Sequence, residues 1–252
     1  MYPKIALITG GSRGLGRNAA LHLAKNGTDI IITYHTKNEE ADSVVAEIEA
    51  LGRKAVAIQS DVGDIQAIDG FIARVSQVLK EKWDRQCFDF LVNNAGHGGS
   101  IPFATATEAD FDRFSDVHFK GVFFLTQKVL PIINDGGSIV NLSSGTTRFA
   151  NPGYSIYASM KGAVEVLTKY LAKDLGPRGI SVNIVAPGPV ETDFNSAAIR
   201  SNPTLKDRLA TMTALGRVGE PNDIGGVIAF LCSPEGHWIN GQRIEASGGI
   251  NL

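Results

Sequence analysis

Cysteine is scarce. Cys87 and Cys232 are the only two in the chain, and neither has metal-ligand or redox spacing. A disulfide framework and a thiolate metal centre are therefore excluded; no metal is expected, and two core thiols suit a reduced compartment. No apolar run approaches the roughly 20 residues needed to span a bilayer, so no membrane partner is expected. An apolar run begins within four residues of the start, which leaves no room for a signal peptide and gives a cytoplasmic expectation. Neither sign of charge dominates: 24 Lys and Arg stand against 26 Asp and Glu, a net charge of −2. Without a basic field, nucleic acid is not the main partner. Linkers, repeats and low-complexity tracts are missing too. The 252 residues read as one α/β domain, 1–252, long enough to bury a core without staples.

What is present is alternation. Short apolar runs at 4–9, 29–34, 54–59, 88–93, 138–142 and 180–186 read as strands, with a short last strand at 243–245. Between them lie helical segments at 15–26 (stopped by Gly27), 38–51 (ended by Gly52), 64–82, 107–133 (broken near Pro131), 154–175 and 221–231, with a polar helical stretch over 191–215. Strands without polar alternation are buried on both faces, which implies a parallel sheet covered by helices. A (β/α)₈ barrel fits the length, but the strands fall short of eight. The first turn also carries dinucleotide chemistry, which favours an open, doubly wound Rossmann-type sheet.

That first turn runs Thr9-Gly10-Gly11-Ser12-Arg13-Gly14-Leu15-Gly16 between a strand and a helix. Glycines there permit close backbone approach, and the helix N-terminus offers free N–H groups to a pyrophosphate. The spacing is not G-x-G-x-x-G, so the match is one of mechanism. In such folds an acid about 20 residues on, at the end of the second strand, binds the ribose 2′-hydroxyl. Here the slot reads Tyr34-His35-Thr36-Lys37, without a carboxylate. Arg13 and Lys37 suit a 2′-phosphate, which favours NADP(H) over NAD(H). Asp61 and Val62 follow the third strand; Asp61 reads equally as an adenine neighbour or as a turn residue. Asn93-Asn94-Ala95-Gly96 ends the fourth strand, where Asn93, Ala95 and Gly96 suit backbone packed on a cofactor. Pro187, Gly188, Val190 and Thr192 follow the sixth, with Thr192 placed for a nicotinamide amide or for a helix N-cap. These features share the carboxyl ends of the strands, the edge where open α/β sheets bind ligands.

Tyr157 and Lys161 stand four apart in a helical segment and so share a face. An ammonium there favours the phenolate and moves a phenol that titrates near about 10 toward the working range. Ser144, thirteen residues upstream at a strand end, offers a hydroxyl to hold a carbonyl or alcohol oxygen against the phenol.

With these residues, and with Gly241-Gln242 and Gly248-Gly249 near the end, the chain resembles the short-chain dehydrogenase/reductase superfamily over nearly its whole length. The likeness is greatest to bacterial carbonyl reductases and 3-oxoacyl-carrier-protein reductases. The resemblance implies a seven-stranded mostly parallel sheet, usually in a homotetramer, and hydride transfer between a nicotinamide and a small-molecule carbonyl/alcohol pair. Tyr157 would be the general acid in reduction and the base in oxidation. Lys161 would lower its pKa and hold the ribose, and Ser144 would polarise the carbonyl. The family spacing selects Ser144 over Ser143, and Tyr154 lacks a lysine four residues on. Many relatives carry a catalytic asparagine where this chain has His118, in Val117-His118-Phe119-Lys120-Gly121. That exchange implies either a relay in which an imidazole adds a pH dependence near neutrality or a histidine that simply packs. His97 reads as a loop residue. Residues 189–216 occupy the family's substrate lid, with Phe194, Ile199, Leu205, Leu209 and Met212 among polar residues. A dedicated 3-oxoacyl-carrier-protein reductase, an NAD-dependent alcohol or sugar dehydrogenase and a non-catalytic NADP-binding redox sensor are the competing readings.

Overall fold

The computed structural model describes residues 3–252, apart from the side chains of residues 195 and 196. Seven strands form one sheet: β1 Ile5–Ile8, β2 Asp29–Tyr34, β3 Ala55–Gln59, β4 Phe88–Asn93, β5 Ile133–Leu142, β6 Ser181–Pro187 and β7 Arg243–Ala246. Their order is β3-β2-β1-β4-β5-β6-β7, and every pairing is parallel. The strand order reverses between β1 and β4, which opens a crevice at their carboxyl ends.

Nine α-helices flank the sheet: α1 Gly14–Lys25, α2 Asn38–Ala50, α3 Ile68–Trp83, α4 Glu108–Ser115, α5 Gly121–Val129, α6 Ser155–Leu175, α7 Phe194–Ser201, α8 Pro203–Thr211 and α9 Asn222–Leu231, counted among the described residues. β1 shows why the sheet needs cover on both sides. Ala6 and Ile8 face one core with Leu23, Ile48 and Ile228, whereas Ile5 and Leu7 face the other with Val75, Leu79 and Val129. A strand apolar at every position can bury both faces only between two helical layers.

The expected elements are present, with three differences. The 107–133 segment is not one helix. Thr107 caps α4 in a reciprocal box with Asp110, and a widened π turn, Asp116–Lys120, separates α4 from α5. α5 then starts tight against the β3–α3 loop, where a methyl on Gly121 would lie 2.3 Å from the Val62 carbonyl oxygen. β5 begins at Ile133, five residues earlier than the apolar run, because Ile133 pairs with Phe88 and Asn134 Nδ2 donates to buried Asp89 at 2.9 Å. The 191–215 stretch is two helices, split where Asn202 caps α8 ahead of Pro203. Among the described residues no helix is long and apolar enough to cross a membrane.

Candidate active site

At the β1–β4 crevice the glycine turn is held by backbone and by one amide. Gly10 N and Gly11 N donate to Thr33 on β2, at 3.1 Å to Oγ1 and 2.8 Å to the carbonyl oxygen. Asn94 Nδ2 donates to the carbonyls of Thr9 and Gly10 at 2.9 and 3.0 Å, and Thr9 Oγ1 accepts from the backbone N–H groups of Asn94 and Ala95. A methyl on Gly16 would sit 2.3 Å from the Gly10 carbonyl oxygen and 2.4 Å from Asn94 Nδ2. Only glycine lets α1 start this close to the loop. The first turn of α1 has no acidic residue, and the Arg13 side chain does not cap it. Its N–H groups and positive dipole end are therefore left for an anion. Asn94 was not singled out by sequence, although its place beside Asn93 was a signal.

Asn93 itself turns inward. Its amide donates to Asn141 Oδ1 at 2.8 Å and Thr126 Oγ1 at 3.0 Å, and Asn141 continues to Thr168 Oγ1 at 2.9 Å. This buried chain ties β4 and β5 to α5 and α6, the helices that flank the reactive groups. The Asn93 side chain is thus framework, where sequence placed it at a cofactor.

Beyond β2 lies a cleft of about 450 Å³ lined by Ser12, Arg13, Arg17, Glu39, Glu40, Ser43, Glu47 and Asp193. Arg17 pairs with Glu47 at 2.5 Å, which among the described residues leaves Arg13 as the unspent cation of the lining. Lys37 does not line the cleft; it precedes α2 with its side chain exposed. His35 and Thr36 are exposed as well, and Tyr34 is half-buried. Asp61 closes a local turn through Gly63 N at 2.9 Å and lies 3.6 Å from His35 Nε2. The turn reading of Asp61 is thus seen in the structure. Residues 189–191 are pinned by Gly219 backbone bonds, which fixes Val190 in a parallel bridge. Gly188 packs on Ser247, and Thr192 Oγ1 accepts from Phe194 N at 3.2 Å while facing Gly14 across the crevice.

The reactive corner forms where β5 ends. Tyr157 and Lys161 are buried on one face of α6, 8% and 5% exposed. Lys161 Nζ lies 5.8 Å from the Tyr157 ring centroid and donates to the Leu142 carbonyl at 2.8 Å. Ser144 Oγ accepts from Thr146 N at 3.2 Å and from Thr146 Oγ1 at 3.0 Å. With both lone pairs engaged, its own proton is left to point at an incoming oxygen. The Ser144 hydroxyl acts on the Tyr157 phenol, and Lys161 lies on the same helix face, so the three groups share one corner.

The phenol's acidity departs from expectation. Burial pushes Tyr157 up to about 12, and the bond with Ser144 only partly offsets this. Lys161 spends its nearest donor on a carbonyl, and burial brings its own pKa down to about 8. In this state the phenol keeps its proton at neutral pH.

His118 also departs from expectation. It is fully buried in the π turn, 4.9 Å from His97 and 5.2 Å from Tyr157 between ring centroids. Burial first, then the Lys161 charge, drive its pKa down to about 2. The imidazole is neutral and does not titrate near neutrality, which corrects the idea of a pH-sensing relay. Nε2 carries the hydrogen, since it meets the His97 carbonyl at 2.9 Å, and Nδ1 is a buried acceptor facing Gly96. Phe194, at the start of α7, covers the Tyr157 ring at 6.1 Å.

The chain matches known proteins along its length. The sequence model of a family described as enoyl-(acyl carrier protein) reductase matches residues 10–251. The 3-oxoacyl-[acyl-carrier-protein] reductase FabG of Staphylococcus aureus is 38% identical over 251 residues, covering 99% of this chain and 98% of that protein. An angucycline C-6 ketoreductase, LanV, solved with bound NADP, superposes with a TM-score of 0.94 at 38% identity, covering 99% of this chain and 96% of the other. A short-chain dehydrogenase from Burkholderia cenocepacia in complex with NADP gives 0.90 at 40% identity, with 99% and 98% coverage. A parallel seven-stranded sheet with this crevice, matched end to end by such relatives, makes the chain a member of the short-chain dehydrogenase/reductase superfamily of oxidoreductases.

Proposed function

We propose that the protein is an NADP(H)-dependent carbonyl reductase that interconverts a ketone or aldehyde and its alcohol. The observation that carries this reading is the convergence of Ser144, Tyr157 and Lys161 beside the β1–β4 crevice. The crevice fits a dinucleotide: the first turn of α1 is free of acids, and Gly10, Gly11 and Gly16 leave no room for a methyl. Gly10, Ser12, Gly14, Leu15 and Gly16 would hold the pyrophosphate, Asp61 and Val62 the adenine side, and Ala95, Gly96, Pro187, Gly188, Val190 and Thr192 the nicotinamide side. Arg13 would meet a 2′-phosphate, and NADP in two of the structural relatives supports that choice over NAD. Bound there, NADPH supplies a hydride. Ser144 and Tyr157 grip the substrate oxygen, and Tyr157 gives up its proton as the oxyanion develops. Lys161 stabilises the phenolate that remains, and orientation with electrostatic stabilisation provides most of the acceleration. A phenol held protonated is the form a reduction needs.

α7 and α8 act as a lid, with Phe194 over the reactive ring. Phe123 and Phe124 on α5 and Val166 and Tyr170 on α6 expose apolar side chains, which supports self-association of the chain, with a homotetramer in the cytoplasm as the assembly proposed from the family resemblance. The test is a carbonyl panel assayed with NADPH and NADH side by side. Turnover that requires Tyr157 and prefers NADPH is expected; NADPH binding without turnover on any carbonyl would overturn the reading in favour of a redox sensor. The similarity to FabG favours a second reading, reduction of 3-oxoacyl groups on a carrier protein. It predicts a strong preference for carrier-bound over free β-keto thioesters.

A further inference from the structure

Behind the reactive corner lies a charged cluster that the reaction as described does not use. Glu165, at the middle of α6, places one oxygen, Oε1, at the meeting point of three donors. Ser143 Oγ reaches it at 2.5 Å, Thr147 Oγ1 at 2.7 Å and Arg243 Nε at 2.7 Å. Ser143 and Thr147 bracket the turn that carries Ser144. Arg243, on β7, also reaches that turn directly: its NH2 donates to the Ser144 carbonyl at 3.4 Å and to Thr147 Oγ1 at 3.2 Å. The Glu165 and Arg243 side chains are 20% and 24% exposed, so the pair is shielded from full solvent screening.

A surface salt bridge would add little. This one differs because all its side branches end on a single short turn. Ser144 is extended (φ −160°, ψ 153°), and the turn that follows it spans three residues, Gly145–Thr147. Within that turn the Ser144 hydroxyl is oriented only by Thr146. Toward α6 and β7 the turn is held by Ser143 Oγ, Thr147 Oγ1 and the Ser144 carbonyl, all three of which meet Glu165 or Arg243, while Ser143 N donates to the Val185 carbonyl on β6 at 2.7 Å.

We propose that Glu165 and Arg243 are positioning residues: a charge pair that clamps the Ser143–Thr147 turn from behind and thereby aims the Ser144 hydroxyl at the oxygen held by Tyr157. Neither touches the reacting atoms; both act through Ser144. The inference rests on the proposed role of Ser144. A displacement of about 1 Å at a reacting group is enough to cost on the order of a hundredfold in rate.

The test is a double-mutant cycle. Glu165→Ala is expected to lower kcat/KM for the carbonyl substrate ten- to a hundredfold, mostly in kcat, with the Kd for NADPH within twofold of the parent. In a Ser144→Ala background the same substitution is expected to cost less than threefold, because there is no hydroxyl left to aim. Glu165→Gln keeps an acceptor for Ser143 and Thr147, and should recover most of the loss. Equal fold-losses in the two backgrounds, or no loss with Ser144 present, overturn the proposal. If Glu165→Ala does not fold, as read by lost NADPH binding, Glu165→Gln and Arg243→Lys in the two backgrounds give the same comparison. A Ser144→Ala enzyme with full activity would instead remove the reading on which the inference stands.

Discussion

At the β1 and β4 ends of the cleft the main chain of the glycine turn is held by a few neighbouring groups with no room for added bulk; at the β5 and α6 end it is the functional side chains that are held, each by a directed hydrogen bond. The glycine turn leans on Thr33, Thr9 and Asn94 through main-chain groups, and a single methyl at position 16 has nowhere to go. The Ser144 corner has space for side chains and fixes Ser144, Lys161, Ser143 and His118 through Thr146, Leu142, Glu165 and His97. The first end is specified by steric exclusion, the second by hydrogen-bond direction. Binding errors should therefore come from added bulk at one end, and chemical errors from deleted atoms at the other.

The largest effect that would sharpen this contrast is Tyr157→Phe. It removes one oxygen, and kcat is expected to fall about 10²- to 10⁴-fold, while the Kd for NADPH in a fluorescence titration stays within about twofold. Gly16→Ala does the opposite. Overpacking of this kind costs about 1–3 kcal/mol, and it should weaken NADPH binding at least tenfold while the chemistry of whatever cofactor binds is little changed; single-turnover kinetics separate the two. Asn94→Ala leaves the Thr9 and Gly10 carbonyls without the amide, a loss of about 1–3 kcal/mol for buried groups, read as a lower Tm and a weaker NADPH Kd. Arg13→Ala should shrink the preference for NADPH over NADH about tenfold, the scale of one charge-assisted bond, with little change for NADH.

The smallest effect concerns pH. Lys161 has its pKa lowered to about 8 by burial, so its charge is present below that pH and is lost as pH rises through it. Reduction should therefore slow above pH 8. His118 is neutral throughout this range. His118→Asn is expected to leave both the limb and its midpoint unmoved, whatever it does to the absolute rate; a shifted limb would mean the imidazole titrates after all.

The order of strands and helices was legible because apolar runs, glycine stops and capping residues are local signals. The glycine turn, Ser144, Tyr157 and Lys161 were legible for the same reason: the first two sit at strand ends, and the last two stand one turn apart on one helix. What escaped depends on contacts between distant segments. β5 starts early because Asp89 and Phe88, more than forty residues away, pair with Asn134 and Ile133. Lys161 was expected to acidify Tyr157 from helical spacing alone, but its ammonium donates to a carbonyl on β5 and burial sets the phenol's acidity. Lys37 had the right charge and missed the cleft that Arg13 lines. Glu165 lay four residues beyond Lys161, one turn along the same helix, and gave no sign of its partners on β7.

The π turn at Asp116–Lys120 has a geometric consequence of its own. An α-helix rotates about 100° per residue, and a widened turn works as a phase shifter of that size between the segments it joins. Ahead of it, Phe114 stacks on His118; beyond it, Leu125 and Val129 are packed under the sheet. A one-residue deletion inside the turn would rotate one of these faces into solvent. This stretch should therefore tolerate exchanges of side chain far better than changes of length.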